Sequence, residues 1–356
     1  MVRDKVLPIV SITRHQYYYQ PKGKRPGRKP TQITVRKVGQ TTVEENNQQV
    51  IKQIRSIQWD PDTDYGYRKM YVALMLLGYF INHKKVYRLM KEHNLFKERY
   101  KRTGKTYAKY RIVVPQGPLQ LFEMDIKYVW VTQAHRHAFI LTILDTFTRA
   151  VLHWQVGFTM KASQVKQGWE NVIVNYLQPA DQLIKGVHIE IRNDNGPQFA
   201  AKLIRQFFKE NYLNQVFTHP YTPQENGHIE SFHSILSKAL SKQTFWDLAE
   251  LETRLTLFYE KYNNLRLHGS IANLTPQLCW ELWQKGKITR KELKNKKVKF
   301  SLNIPYQQLS GNGSLREVPC LNLDGLDVDL NLSKKVYGPE TLQQPSVQKS
   351  PSVVPR

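Results

Sequence analysis

The sequence predicts a multidomain chain: an all-α N-terminal region, a mixed α/β core and a small C-terminal region with strand-like runs. Three observations support this division. Residues 43–112 repeat apolar positions at helical spacing. From about residue 120, three apolar, β-rich runs follow one another and give way to alternating helix and strand patterns. After residue 284 a basic run leads into short strand-like pieces broken by SGNGS and LDG. The expected units are a short helix and basic arm (1–42), a helical DNA-binding region (43–112), the core (113–284), a basic linker with a small C-terminal region (285–338) and a disordered tail (339–356).

The totals narrow the partner. The 356 residues carry a formal charge of +24, and the first 110 hold 24 Lys and Arg against 8 Asp and Glu, about two thirds of the excess. Charge gathered at one end points to a polyanion, with nucleic acid ahead of a membrane surface. No apolar run approaches a spanning length and no lipidation pattern is present. Two cysteines, Cys279 and Cys320, fit a reducing compartment and cannot build a structural zinc site. A cytoplasmic, nucleoid-associated protein is expected.

Within the N-terminal region, Thr13 caps a short helix over RHQYYYQ. The stretch PKGKRPGRKP cannot form a core and reads as an extended arm, with Arg25, Arg28 and Lys29 as candidate phosphate contacts. A first helix places Val43, Val50, Ile54 and Ile57 near one face. A second, YRKMYVALMLLG, ends at Gly78, suited to a left-handed cap, and carries Arg68 and Lys69. The third starts after Asn82; Val86, Leu89, Met90 and His93 form its apolar stripe, while Lys84, Arg88 and Lys91, with Lys85 beside them, face elsewhere. Helix, glycine turn and basic amphipathic helix predict a helix-turn-helix unit.

The core opens with LFEMDIKYVWV, HAFILTILDTF and RAVLHWQVGF, a meander of strands covered on both faces. The helix SQVKQGWENVIVNYL, the strand VHIEIRND, the helix AKLIRQFFKEN, the strand QVFTHP and a long helix from PQENGHIESFHSIL follow, and WDLAELETRLTLFYEKYN adds another helix. That order suits a mixed sheet of ribonuclease H type.

Asp125 stands on the first core strand between Met124 and Ile126, where a charge is expensive to bury without a partner. Asp194 ends a later strand, before Asn195 and Gly196 turn the chain; a plain surface turn is the alternative reading. Two such carboxylates with a third from a helix suit a hard divalent cation, Mg2+ or Mn2+. Glu225 and Glu230 compete for the third place. Glu230 is preferred, because Ile229, Phe232, Ile235 and Leu236 would pack its helix on the sheet and hold it rigidly. Two metals clamped by carboxylates serve phosphoryl transfer to water or to a DNA 3'-hydroxyl. Gln224, Asn226 and His233 are candidate DNA contacts, His228 and His233 flank Glu230, and Asp145 reads as a turn residue. The run KGKITRKELKNKKVKF is either a phosphate contact or a solvated helix and linker.

EMDIKYV, NDNGPQF and HPYTPQENGHIESFHSIL, in this order, resemble the integrase catalytic core shared by retroviral integrases and bacterial insertion-sequence transposases. The resemblance implies an Asp/Asp/Glu triad at Asp125, Asp194 and Glu230 that binds two metal ions, and DNA cutting and joining at the ends of a mobile element. Thirty-five residues separate Asp194 from Glu230, the family's frequent spacing. YGYRKMYVALMLLGYFINHKKVYRLMKEHNL, YNNLRLHGSIANLTPQ and VSITRHQYYYQ resemble segments of the second reading-frame product of insertion sequences, so the likeness covers roughly residues 5–280. It implies terminal inverted repeats and target DNA as partners, a homo-oligomer on DNA, and an upstream reading-frame product as a further partner. There is no cysteine before Cys279, so the zinc module of retroviral integrases is lacking, and Asn193 stands where many relatives have Ser. Residues 285–356 match no pattern of the family. Two other readings stay open: a ribonuclease H-like nuclease, and a DNA-binding repressor with an inactive core.

Overall fold

The computed structural model describes residues 7, 9–20, 30–63, 65–96, 114–219, 226–293 and 298–309. The expected arm contacts Arg25, Arg28 and Lys29, together with Gln224, Glu225 and the C-terminal tail, lie outside the described residues.

Helix α1 (Arg14–Tyr17) has the expected cap: Thr13 accepts from Gln16 N–H, and the Gln16 side chain reaches back to Thr13 N–H. Three helices then form the N-terminal unit, α2 (Asn47–Trp59), α3 (Tyr67–Leu76) and α4 (His83–Glu92). A small sheet, not expected from the sequence, accompanies them: β1 (Ile33–Val38), β2 (Thr41–Asn46) and β3 (Tyr79–Phe80), in the order β2-β1-β3. Val43 therefore sits on a strand, and the first helix starts only after Asn46, which caps it by accepting from Gln49 N–H. The alternation of ITVRKV and TTVEEN about Gly39, at φ +63°, favours a hairpin over one more helical turn. Gly78 has φ +89° as expected of the cap, and a Cβ there would lie 2.3 Å from Lys37 O.

The core sheet has five strands in the order β6-β5-β4-β7-β8, formed by β4 (Leu121–Val131), β5 (Arg136–Asp145), β6 (Val151–Gly157), β7 (Ile189–Asn193) and β8 (Leu213–Phe217). The first three strands by sequence are antiparallel; β7 joins β4 in parallel, and β8 joins β7 in parallel. On one face pack α5 (Ala162–Val172) with its π-helical continuation Ile173–Leu177, the short α6 (Pro197–Ala200) and α7 (Lys202–Glu210). Trp169 anchors this layer, fully buried, edge-on to Phe122 and Phe208. On the other face pack α8 (Gly227–Leu240) and α9 (Leu248–Asn264), with Phe232, Leu236, Leu255 and Phe258 buried against Ile140 and Leu144.

The C-terminal part departs from expectation. The basic run contains an antiparallel hairpin, β9 (Ile288–Glu292) with β10 (Val298–Leu302), rather than a helix and linker. Its alternation buries Ile288 and sets Phe300 edge-on to Phe147 at 5.0 Å. Together with α10 (Pro276–Gln284), these residues share one apolar cluster with α2, α3 and α4.

Candidate active site

The parallel register between β4 and β7 pairs Leu121 with Glu190, Phe122 with Ile191 and Glu123 with Arg192. The ladder ends there, with Asp125 two residues further along β4 and Asp194 just past the end of β7. Asp125 and Glu123 share one face of β4 because side chains alternate along a strand, and that face meets α8. Glu230 lies in the first turn of α8. The end of β7, the middle of β4 and the start of α8 are thus neighbours in the fold.

Electrostatics reflect the same neighbourhood. The Asp194 carboxyl is pushed up, by partial burial first and by the Asp125 charge in addition, against the bond from Gly196 N–H at 3.0 Å. Glu230 is also pushed up, by burial, then by Asp125 and Glu123, with His233 opposing. Asp125 therefore acts on both other acids.

The carboxylates do not themselves crowd together. Among the described residues, no three His, Cys, Asp or Glu side chains stand close enough to share one ion. Two of the acids are engaged by local partners instead. Asp125 contacts His233 Nδ1 at 3.3 Å and its neighbour Ile126 N–H at 2.7 Å, and Asp194 accepts from Gly196. Gly196 matters here for space: a Cβ would stand 3.0 Å from Asp194 Oδ1 and 2.7 Å from the Gln198 side chain. Asn193 is fully buried, receives Gln215 Nε2 at 3.0 Å and bonds Asp194 O, which steadies the strand end.

Glu123 was not singled out from the sequence. Its carboxylate is 1% exposed, accepts from His228 and Ile229 N–H at 2.9 and 2.8 Å, and lies 2.7 Å from His228 Nδ1. Burial pushes its carboxyl up to about 7, while the Ile229 N–H, Arg149 and Arg192 pull the other way. His228 lies at the surface, with its side chain 40% exposed, and turns Nδ1 to this carboxylate. A second acid two residues before Asp125, on the same strand face, was the available signal.

Other expected contacts separate by setting. Lys84 and Lys91 are exposed on α4, and Arg88 pairs with Glu92 at 3.9 Å. Lys85 is engaged inside the unit: its Nζ donates to Ile33 O and Thr34 Oγ1, both at 2.8 Å. Arg68 is exposed and donates to Tyr67 OH, while Lys69 lies over the Tyr65 ring. Asn226 is buried at the start of α8 and His233 is largely buried against Asp125, so neither presents an open side chain to a groove. Asp145 is the expected turn residue, fully buried and accepting from Leu119 N–H and from Thr148 N–H and Oγ1.

Comparison with known proteins agrees with this architecture. Two integrase core domain families match residues 115–223 and 211–276, and an HTH-like domain family matches 45–103. The 39.2 kDa protein of insertion element IS476 of Xanthomonas euvesicatoria is 26% identical over 214 residues, 60% of this chain and 59% of that one. The 31.7 kDa protein of IS407 of Burkholderia multivorans is 24% identical over 60% of this chain and 74% of its own length. The InsK protein of IS150 of Escherichia coli K12 is 26% identical over 286 residues, 77% of this chain and 91% of that one. The chain thus spans less than two thirds of the IS476 protein. Residues 115–276 thus match integrase core domain families, and the relatives the chain resembles are proteins of bacterial insertion elements.

No helix among the described residues is long and apolar enough to cross a membrane.

Proposed function

We propose that the chain is a transposase that cuts DNA at the ends of an insertion sequence and joins them to target DNA, with Asp125, Asp194 and Glu230 as its catalytic acids. The observation that carries this reading is the placement of the three acids on adjoining elements, β4, the end of β7 and the first turn of α8, where burial first and the Asp125 charge in addition raise the proton affinity of Asp194 and Glu230. Carboxylate oxygens are suited to a hard divalent cation, Mg2+ or Mn2+, and to hold two such ions the three side chains would leave their local partners and close on the metal. Bound there, divalent ions would supply Lewis-acid stabilisation of the phosphoryl oxygens and of the attacking and leaving oxygens.

The protein's own groups do the rest. Asp125, from the strand interior, and Asp194, held by Gly196 N–H, present rigidly mounted oxygens, and α8 sets Glu230 opposite them. No side chain need form a covalent intermediate, since water or a 3'-hydroxyl attacks directly. His233, beside Asp125, fixes one carboxylate oxygen. Lys84, Lys91 and Arg68 on the N-terminal unit offer charge to DNA phosphates. Two copies pairing two element ends, in the cytoplasm on nucleoid DNA, complete the reading.

Strand joining on a duplex carrying the element's terminal repeat tests it. Joined product with Mg2+, absent after chelation and absent from Asp194→Asn, is the expected result. Hydrolysis without joined product would favour the ribonuclease H-like nuclease, and full activity of Asp194→Asn would exclude the proposed triad.

A further inference from the structure

The start of α8 has an unusual acceptor. Asn226 at the cap makes no side-chain cap bond, and the first-turn N–H groups of His228 and Ile229 are instead satisfied by Glu123 from a strand of the sheet. A carboxylate that is 1% exposed in an apolar strand is costly unless it is fully bonded. Here both oxygens are used, one by the two N–H groups and the other by His228 Nδ1 at 2.7 Å. Glu230 follows Ile229 directly, and Asp125 follows Glu123 by two residues on the same strand face. A second acid–imidazole contact, Asp125 with His233 at 3.3 Å, repeats the pattern further along the same strand and helix. The two contacts together tie α8 to β4 on either side of Glu230.

We propose that Glu123 is a positioning residue for this reaction: by clasping the first turn of α8 to β4 it sets where Glu230 stands relative to Asp125. The inference rests on the transposase reading of the triad. Glu123 touches neither DNA nor the reacting atoms in this role; it acts through the backbone that carries Glu230.

Glu123→Gln and Glu123→Leu in the full chain separate the possibilities. Glutamine keeps an oxygen for the two N–H groups and an amide for the imidazole; leucine keeps the size and loses every acceptor. Hydrogen exchange of residues 226–232 and single-turnover strand joining at saturating DNA are the readouts. Leucine is expected to speed exchange at 228 and 229 and to lower the joining rate about 100-fold with KM for DNA held, the scale of a displaced catalytic group. Glutamine is expected to restore both. Unchanged exchange in the leucine variant overturns the clasp. Faster exchange with a parent-like joining rate per folded molecule overturns the positioning role. Should the leucine variant not fold, His228→Ala is read the same way, with slower joining supporting and parent-like joining contradicting the role. If the parent itself joins no DNA, the transposase reading falls, while the exchange comparison still decides whether Glu123 holds the helix.

Discussion

At the scale of single residues, burial holds the Asp194 and Glu230 carboxyls toward the protonated form, and the Asp125 charge adds to it. Replacing Asp194 by Asn keeps the shape and removes one charge. Joining is expected to fall by about 10³-fold or more, the loss that goes with several kcal/mol of charge stabilisation at the transition state, while duplex DNA affinity measured by anisotropy holds or rises. Asp125, Asp194 and Glu230 stand out in the sequence as candidates because each interrupts a regular pattern: an acid inside an apolar strand, an acid at a strand end, an acid one turn into an amphipathic helix. Glu123 and His228 do not. Nothing local distinguishes a glutamate that caps a distant helix from one at a solvated strand edge, since the cap forms only across 105 and 106 residues of sequence.

At the scale of elements, periodicity located the long pieces and missed the short ones. The core strand Leu121–Val131 has the expected bounds, and α8 and α9 lie where apolar spacing put them. The hairpins β1–β2 and β9–β10 were misread because their strands are five or six residues long and rich in charge, so alternation competes with a plausible helical or linker reading. Packing against neighbours decided them: Phe300 meets Phe147, and Lys37 N–H bonds Gly78 O at 2.9 Å. Gly78 is the residue where this matters most. Gly78→Ala forces a Cβ onto Lys37 O at a positive φ, so it is expected to cost about 1–3 kcal/mol in urea unfolding. Trp169→Ala empties the middle of the sheet's α5 face and is expected to cost about 3–5 kcal/mol in the same measurement.

At the scale of the whole molecule, the N-terminal unit is built from both ends of the described chain. Helices α2, α3 and α4 share their apolar cluster with residues 267–309, so the part expected to be a linker completes the core of the DNA-binding unit. The catalytic core is joined to it by polar contacts: Arg254 to Asp62 at 2.7 Å, Lys261 to Asp60 at 3.1 Å, and Tyr65 OH donating to Leu265 O while accepting from Leu267 N–H. His268 lies in this junction, and burial followed by the Arg266, Lys69 and Arg149 charges holds its pKa well below the usual value of 6.5. The unfolded chain then binds a proton below that pH which the folded chain refuses, so stability is lost as pH falls below 6.5. His268→Gln should flatten that part of the stability–pH curve measured by urea unfolding. The central question is whether Asp125, Asp194 and Glu230 hold metal. Mn2+ titration followed by electron paramagnetic resonance asks it most directly. The parent is expected to bind the ion and Asp125→Asn/Asp194→Asn to lose it; equal binding by the parent and the double variant would contradict the assignment of the site.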